Sequence, residues 1–312
     1  MEPILALTMN PAIDKGTGVD NVVPERKLRC HQPSFEPGGG GINVARAITK
    51  LGGTALILYP AGGPPGTMLE HLLDQEGLEH RKIPIRGWTR ENLTVYEETS
   101  GQQFRFGMPG PDMSTSEWEE CLQTFADVRP PPAYIVVSGS LPPGVPGDFY
   151  ARVAAVAHKD GARVIVDTSG EALAMAVQEG VFLIKPNLRE LGHLTGVEIR
   201  GEAEQEEVAR GIIQEGRSEV VVVSLGAAGA LLVTKEGSRR FRAPTVPIKS
   251  KVGAGDSMVA GIVLGLAQGR SLADAVRLGV AAGAAAVMTP GTELCRREDT
   301  ERLYEGLISD AA

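Results

Sequence analysis

Apolar positions along this chain fall into two alternating registers. Short β-branched runs end in turn residues at 4–8, 134–138, 163–167 and around Phe182-Leu-Ile and Val220-Val-Val-Val, and they read as buried strands. Residues 54–60 and 78–83 are read as strands of the same kind. Between them the period lengthens. Ile42, Ala45, Ile48 and Leu51 make a helical stripe that Gly52-Gly53 stops, and helices are predicted over 67–76, 114–125, 147–158, 256–268, 271–286 and 297–308. Strand and helix in alternation argue for an α/β fold, a mostly parallel sheet with helices on both faces.

Two stretches break that rhythm. Residues 15–35 have no helical period and read as strands of a small sheet, Arg26-Lys27-Leu28-Arg29 included. Residues 88–108 read as a hairpin: Asn92-Leu-Thr-Val-Tyr-Glu-Glu, a turn at Thr99-Ser-Gly-Gln, then Gln103-Phe-Arg-Phe. Together they predict a separate β element made from two chain segments, placed as a lid. The run from Val220 to Val233, broken by Gly226 and Gly229, reads as strand, glycine turn and strand.

Composition narrows the function classes. At 312 residues the chain forms one large α/β domain or two small ones, and 42% hydrophobic with 22% charged residues is ordinary for a globular protein. A formal charge of −8 argues against a nucleic-acid partner. The N-terminus lacks the basic start and apolar length of a signal peptide, and no apolar stretch reaches the roughly 20 residues of a membrane span, so a cytoplasmic protein without a membrane partner is expected. Cys30, Cys121 and Cys295 match no metal spacing and read as free thiols.

The candidate chemistry gathers at glycine-rich loops. Val252-Gly-Ala-Gly-Asp256 opens a helix whose unpaired first-turn N–H groups stabilise an anion. Asp256 beside such a nest is either an ordinary helix N-terminal acid or a base that takes a proton from a hydroxyl attacking a phosphoryl group. Gly38 to Gly41 open a second helix with Asn43 in its first turn, where a side-chain amide suits sugar hydroxyls. Asn10-Pro11 ends the first strand and places Asp14 just beyond it. In Lys185-Pro186-Asn187-Leu-Arg-Glu190, Pro186 suits a first helical turn, and Asn187 and Glu190 share one face. Those two either hold a hydrated Mg²⁺ or form a cap with a surface acid. Arg26, Lys27 and Arg29 on their own read best as a solvated strand edge. No Gly-x-x-x-x-Gly-Lys-Ser/Thr sequence occurs, and neither glycine loop gives Gly-x-Gly-x-x-Gly after the first strand, which excludes conventional P-loop and dinucleotide binding.

Taken in order, Gly38–Gly41 with Asn43, Lys185-Pro-Asn187-x-x-Glu190 and Gly253-Ala-Gly-Asp256 resemble the ribokinase-like (PfkB-type) sugar kinase family over essentially the whole chain. Arg26-Lys-Leu-Arg-Cys30, Phe35-Glu-Pro-Gly, Trp88-Thr-Arg90 and Val252-Gly-Ala-Gly-Asp-Ser-Met-Val resemble its minor bacterial 6-phosphofructokinase branch, whose relatives also act on tagatose 6-phosphate or fructose 1-phosphate. The resemblance implies one three-layer αβα domain over 1–312 with a β lid inserted from about 15–35 and 88–108 and used as a homodimer contact. It implies ATP-dependent phosphorylation of the C1 hydroxyl of fructose 6-phosphate. Asp256 would be the base, with the Gly253, Ala254 and Gly255 amides on the transferring phosphoryl group. Lys185 would contact ATP phosphates; Asn187 and Glu190 would hold Mg²⁺; Ser224, Gly226 and Gly229 would line the nucleotide site. Asp14, Gly39 and Asn43 would bind sugar hydroxyls with Ser140 nearby, and Lys27, Arg29 and Arg90 would take the sugar's phosphate. Carbonyls of Ser250, Val252, Ala286 and Gly291 would hold a monovalent cation such as K⁺, with Thr289 and Glu293 at the margin. A non-catalytic sugar or nucleotide sensor on the same fold is the reading from another class.

Overall fold

The computed structural model describes residues 1–309. In chain order it runs β1 (Ile4–Leu7), β2 (Ala12–Val19), β3 (Ser34–Gly38), α1 (Gly40–Lys50), β4 (Leu56–Ala61), α2 (Gly63–Gln75), β5 (His80–Pro84), β6 (Arg90–Glu97), β7 (Gln102–Phe106), α3 (Thr115–Ala126) and β8 (Tyr134–Ser138). It continues with α4 (Phe149–Lys159), β9 (Arg163–Asp167), α5 (Gly170–Ala176), β10 (Val181–Ile184), α6 (Leu188–Thr195), α7 (Glu202–Gln214) and β11 (Ser218–Ser224). Last come β12 (Ala230–Thr234), β13 (Gly237–Phe241), α8 (Ala254–Ala267), α9 (Leu272–Val287) and α10 (Arg297–Ser309).

Nine strands form one sheet in the order β13-β12-β11-β10-β9-β8-β1-β4-β5, parallel except for the antiparallel edge pairs of β12. Alternation along each strand divides the core. Ile4 and Ala6 of β1 and Tyr134 and Val136 of β8 pack with α1, α2, α8, α9 and α10 on one face; Leu5, Leu7, Ile135 and Val137 pack with α3 to α7 on the other. This is the three-layer αβα arrangement. Helices α8 and α9 lie backbone to backbone: a Cβ on Gly261 would come within 2.8 Å of the Gly279 Cα. Small residues are therefore required there, which explains the apolar, alanine-rich sequence of both helices without a membrane, and no helix of the described residues is long and apolar enough to cross one.

The second sheet has four strands, β3-β2-β6-β7, drawn from the two stretches that break the αβ rhythm. Its extent corrects the sequence expectation. Arg26 to Arg29 lie in an irregular segment between Val19 and Ser34, where Pro24 and Pro33 remove donors and Glu25 adopts φ 58°. Helix α2 begins at Gly63, earlier than residue 67, because Pro64 and Pro65 fit its first turn. Pro186 precedes the N-cap Asn187 instead of entering the helix. Helices α5 and α7 and strand β13 stand where no element was assigned.

Candidate active site

The carboxyl ends of β1, β8, β9 and β10 face the N-termini of α1 and α8, and most of the candidate side chains meet there. Helix α8 starts at Gly253, which caps it in the left-handed region at φ 75° with no side-chain cap. A Cβ at this position would come 2.4 Å from the tip of Leu294, which would have to turn aside, but the positive φ by itself favours glycine here. The first-turn amides of Ala254 and Gly255 are thus left for an anion. The Lys185 ammonium stands 3.6 Å from where a Gly255 Cβ would be, directly beside that turn.

Asp256 projects from the same turn. Its Oδ2 accepts a hydrogen bond from Asn43 Nδ2 at 2.9 Å, which ties α8 to the first turn of α1. Burial pushes the Asp256 carboxyl up to about 7, helped by the nearby carboxylates of Asp167 and Asp14 and opposed by Asn43 and Lys185. Lys185 is 6% exposed and pairs with Asp167 at 3.1 Å. Burial works against its charge, but Asp167, Glu190 and Asp256 around it hold its pKa above the ordinary lysine value. A carboxyl poised near neutrality, next to free amides and a fixed cation, can take a proton from an alcohol while its neighbours receive a phosphoryl group.

The second glycine loop explains itself sterically. A Cβ on Gly40 would lie 2.3 Å from Ser138 Oγ, one on Gly41 2.4 Å from Thr8 Oγ1, and one on Gly38 2.3 Å from an Asp14 oxygen. Gly39, at φ 115°, caps α1 without a side chain. Asp14 is held from the lid side, where Asn92 Nδ2 donates to its Oδ1 at 2.8 Å. Arg90 enters from β6: its Nη1 and Nη2 donate to the carbonyls of Met108 and Asn10 at 3.0 and 2.9 Å, while its Nε is buried without a partner. Ser140 is exposed in the cleft and accepts from Asn10. Lys27 and Arg29 are exposed in the irregular 20–33 segment and make no ion pair or side-chain hydrogen bond among the described residues.

Asn187 and Glu190 form a capping box. Asn187 Oδ1 accepts from the Glu190 N–H and Glu190 Oε2 from the Asn187 N–H, both at 2.9 Å. Spacing left cap and metal site open; the cap is present, and it leaves one Glu190 oxygen uncommitted. Both residues line an open cleft of about 520 Å³ with Ser169, His193, Ser224 and Leu225. Gly226 borders that end with open space around it, whereas Gly229 is glycine for packing, since its Cβ would meet the Phe241 carbonyl at 1.9 Å. Among the cation-site candidates, Val252 and Gly291 line a small cavity with Asp14, Glu36 and Thr292. The Ala286 carbonyl already accepts from the Thr289 hydroxyl and amide at 2.8 and 3.2 Å, Ser250 is buried, and Glu293 pairs with Arg296. Cys30 is exposed and Cys121 and Cys295 are buried, all free.

Sequence reasoning missed Asp167, Ser169 and His193. Asp167 is legible only as the polar end of a strand pattern, the position where open α/β sheets place ligand-facing groups.

Comparison with known proteins gives the chain's relatives. The model of the pfkB family carbohydrate kinases matches residues 3–299. The chain is 49% identical over 302 residues to the ATP-dependent 6-phosphofructokinase isozyme 2 of Mycobacterium tuberculosis, covering 97% of this chain and 89% of that one. Crystal structures of Escherichia coli phosphofructokinase-2, one with potassium and one with fructose-6-phosphate, superpose with TM-scores of 0.95 and 0.93 at 44% and 43% identity, each over 99% of this chain and 100% of the other.

Proposed function

The chain belongs to the pfkB family of carbohydrate kinases, and we propose that it is an ATP-dependent 6-phosphofructokinase that moves the γ-phosphoryl group of ATP to the C1 hydroxyl of fructose 6-phosphate. The observation that carries the chemical reading is the joint placement of Asp256, the open first turn of α8 and the Lys185–Asp167 pair at one end of the sheet.

Asp256 takes the C1 proton as the oxygen attacks. The amides of Gly253, Ala254 and Gly255 face the phosphoryl oxygens, where fixed donors contribute most because they need no reorganisation. Asn43 fixes the rotamer of Asp256, which keeps one carboxylate oxygen for the alcohol. Asp14, oriented by Asn92, and Gly39 with Asn43 bind sugar hydroxyls. Lys185 holds ATP phosphates, and Asp167 holds Lys185. Ser224 and Gly226 border the nucleotide, with Gly229 shaping the turn. Oxygen donors suit a hard cation, and Glu190 retains an uncommitted oxygen beside Asn187, so these two would hold Mg²⁺, in part through water. A Mg²⁺ held there would supply neutralisation of charge on the transferring phosphate. Carbonyls of Ser250, Val252, Ala286 and Gly291 would hold K⁺, the ion bound in the E. coli structure.

The sugar's own phosphate falls to Arg90, with Lys27 and Arg29 reaching it from the lid or from a second copy; Ser140, expected near the sugar hydroxyls, is assigned to the phosphate as well because Asn10 ties it to Arg90. The four-stranded sheet serves as lid and as homodimer contact within one 1–312 domain. Its segments expose Val23, Trp88, Tyr96, Phe106 and Met108, a set of large apolar side chains that a second copy would cover. A cytoplasmic location suits a chain that uses ATP and sugar phosphate. Phosphorus NMR of the product tests the reading. Fructose 1,6-bisphosphate with ADP is expected, and ADP with only inorganic phosphate would contradict it.

A further inference from the structure

Asn10 lies between β1 and β2 and is 6% exposed. Its Nδ2 donates to Ser140 Oγ at 3.0 Å across 130 residues of sequence, and its main-chain carbonyl accepts from Arg90 Nη2 at 2.9 Å. Its Oδ1 is buried without a donor against Gly110, where a Cβ would come within 2.2 Å. One residue therefore touches both groups assigned to the sugar's phosphate.

The direction of the Asn10–Ser140 bond has a chemical consequence. A serine hydroxyl carries one proton and two lone pairs. Once a lone pair is filled by an amide N–H, the hydroxyl proton turns away from that amide. Ser140 is exposed and makes no other side-chain hydrogen bond among the described residues, so its proton is available to a ligand. Arg90 is set in the same way. Two of its nitrogens are fixed on main-chain carbonyls, and its plane is held while Nε stays uncommitted. An alanine at position 10 would fill the backbone path equally well; it would leave Ser140 free to rotate.

We propose that Asn10 is a positioning residue that makes Ser140 an obligate hydrogen-bond donor to the phosphate monoester of the sugar, beside the Arg90 that the main chain of residue 10 anchors. The inference rests on the phosphate-site reading above. The side chain of residue 10 acts on Ser140, and its carbonyl, retained in any variant, acts on Arg90.

The test compares Asn10→Ala, Asn10→Asp, Ser140→Ala and Asn10→Ala/Ser140→Ala in the full-length enzyme, reading KM for fructose 6-phosphate, KM for ATP, kcat and melting temperature. Losing a hydrogen bond to a charged group predicts a rise in sugar KM of about tenfold or more for Ser140→Ala and for Asn10→Ala, with kcat and KM for ATP changed less than about twofold. The double variant should match Ser140→Ala alone. Asn10→Asp, nearly identical in shape, should be worse than Asn10→Ala, because a carboxylate only accepts and draws the Ser140 proton toward itself. Additive losses, equal effects on sugar and ATP, or an Asn10→Asp enzyme with unchanged sugar KM would overturn the proposal. If Ser140→Ala and Arg90→Ala both leave sugar KM unchanged, the phosphate-site reading itself fails. If they raise it while the Asn10 variants do not, only the role of Asn10 fails.

Discussion

Replacing Asp256 with asparagine should make the protein more stable and nearly inactive at once. The two effects have one origin. In the folded cleft the carboxyl is raised from 3.8 to about 7 by burial and by the Asp167 and Asp14 charges. A raised carboxyl favours the folded state fully below 3.8, and that contribution is lost as pH climbs through the window from 3.8 to about 7. Roughly 3 units at 1.36 kcal/mol each put the cost of ionising Asp256 at about 4 kcal/mol at pH 8. Asparagine avoids that cost, and the bond from Asn43 is already counted in the raised carboxyl. The net gain is about 4 kcal/mol at pH 8, and it shrinks toward pH 4. For a domain of this size that is a rise of about 6 °C in melting temperature. Differential scanning calorimetry at both pH values, alongside ADP release, reads both effects. Catalysis should fall by about 10²–10⁴-fold. A variant that melts at the wild-type temperature at pH 8, or that keeps a tenth of the activity, would refute the reasoning.

Three further outcomes follow from the same geometry. In wild type, kcat/KM for the sugar should fall as pH drops through about 7, since the free enzyme's Asp256 must be ionised to take the proton; a profile flat down to pH 5 would contradict this. Gly253→Ala should lose stability by about 1–2 kcal/mol for the left-handed backbone and should lower kcat by misplacing the α8 amides; chemical denaturation and initial rates check both. Arg90→Ala should raise KM for fructose 6-phosphate by about tenfold or more while KM for ATP stays close to wild type, in steady-state assays with each substrate varied.

Where the sequence was legible, local pattern and tertiary demand coincided. The Ile42 to Leu51 stripe became α1 because those residues face the sheet, and Gly253-Ala-Gly-Asp256 became a capless helix start because the left-handed backbone angle at Gly253 favours glycine. Arg26-Lys27-Leu28-Arg29 misled because strand formation needs a free partner edge, which a pattern of four residues does not encode. Asn187 and Glu190 were ambiguous for a different reason. A capping box and a pair of metal ligands require the same spacing, and the hydrogen bonds show the cap while leaving one Glu190 oxygen for a ligand. Asp167 carries no motif, and Asn10 carries only the turn signal it makes with Pro11. Their importance comes from Lys185, Ser140 and Arg90, residues far along the chain that the sheet order brings to them.

The most direct test of the central claim is ADP release with Mg·ATP and, separately, fructose 6-phosphate, tagatose 6-phosphate, fructose 1-phosphate and unphosphorylated fructose, compared as kcat/KM. The account predicts the highest value for fructose 6-phosphate and a far lower one for fructose, which lacks the group that Arg90 and Ser140 hold. A preference for fructose 1-phosphate would contradict that phosphate assignment, and no turnover with any of the four would contradict the assignment of this site to sugar phosphate phosphorylation.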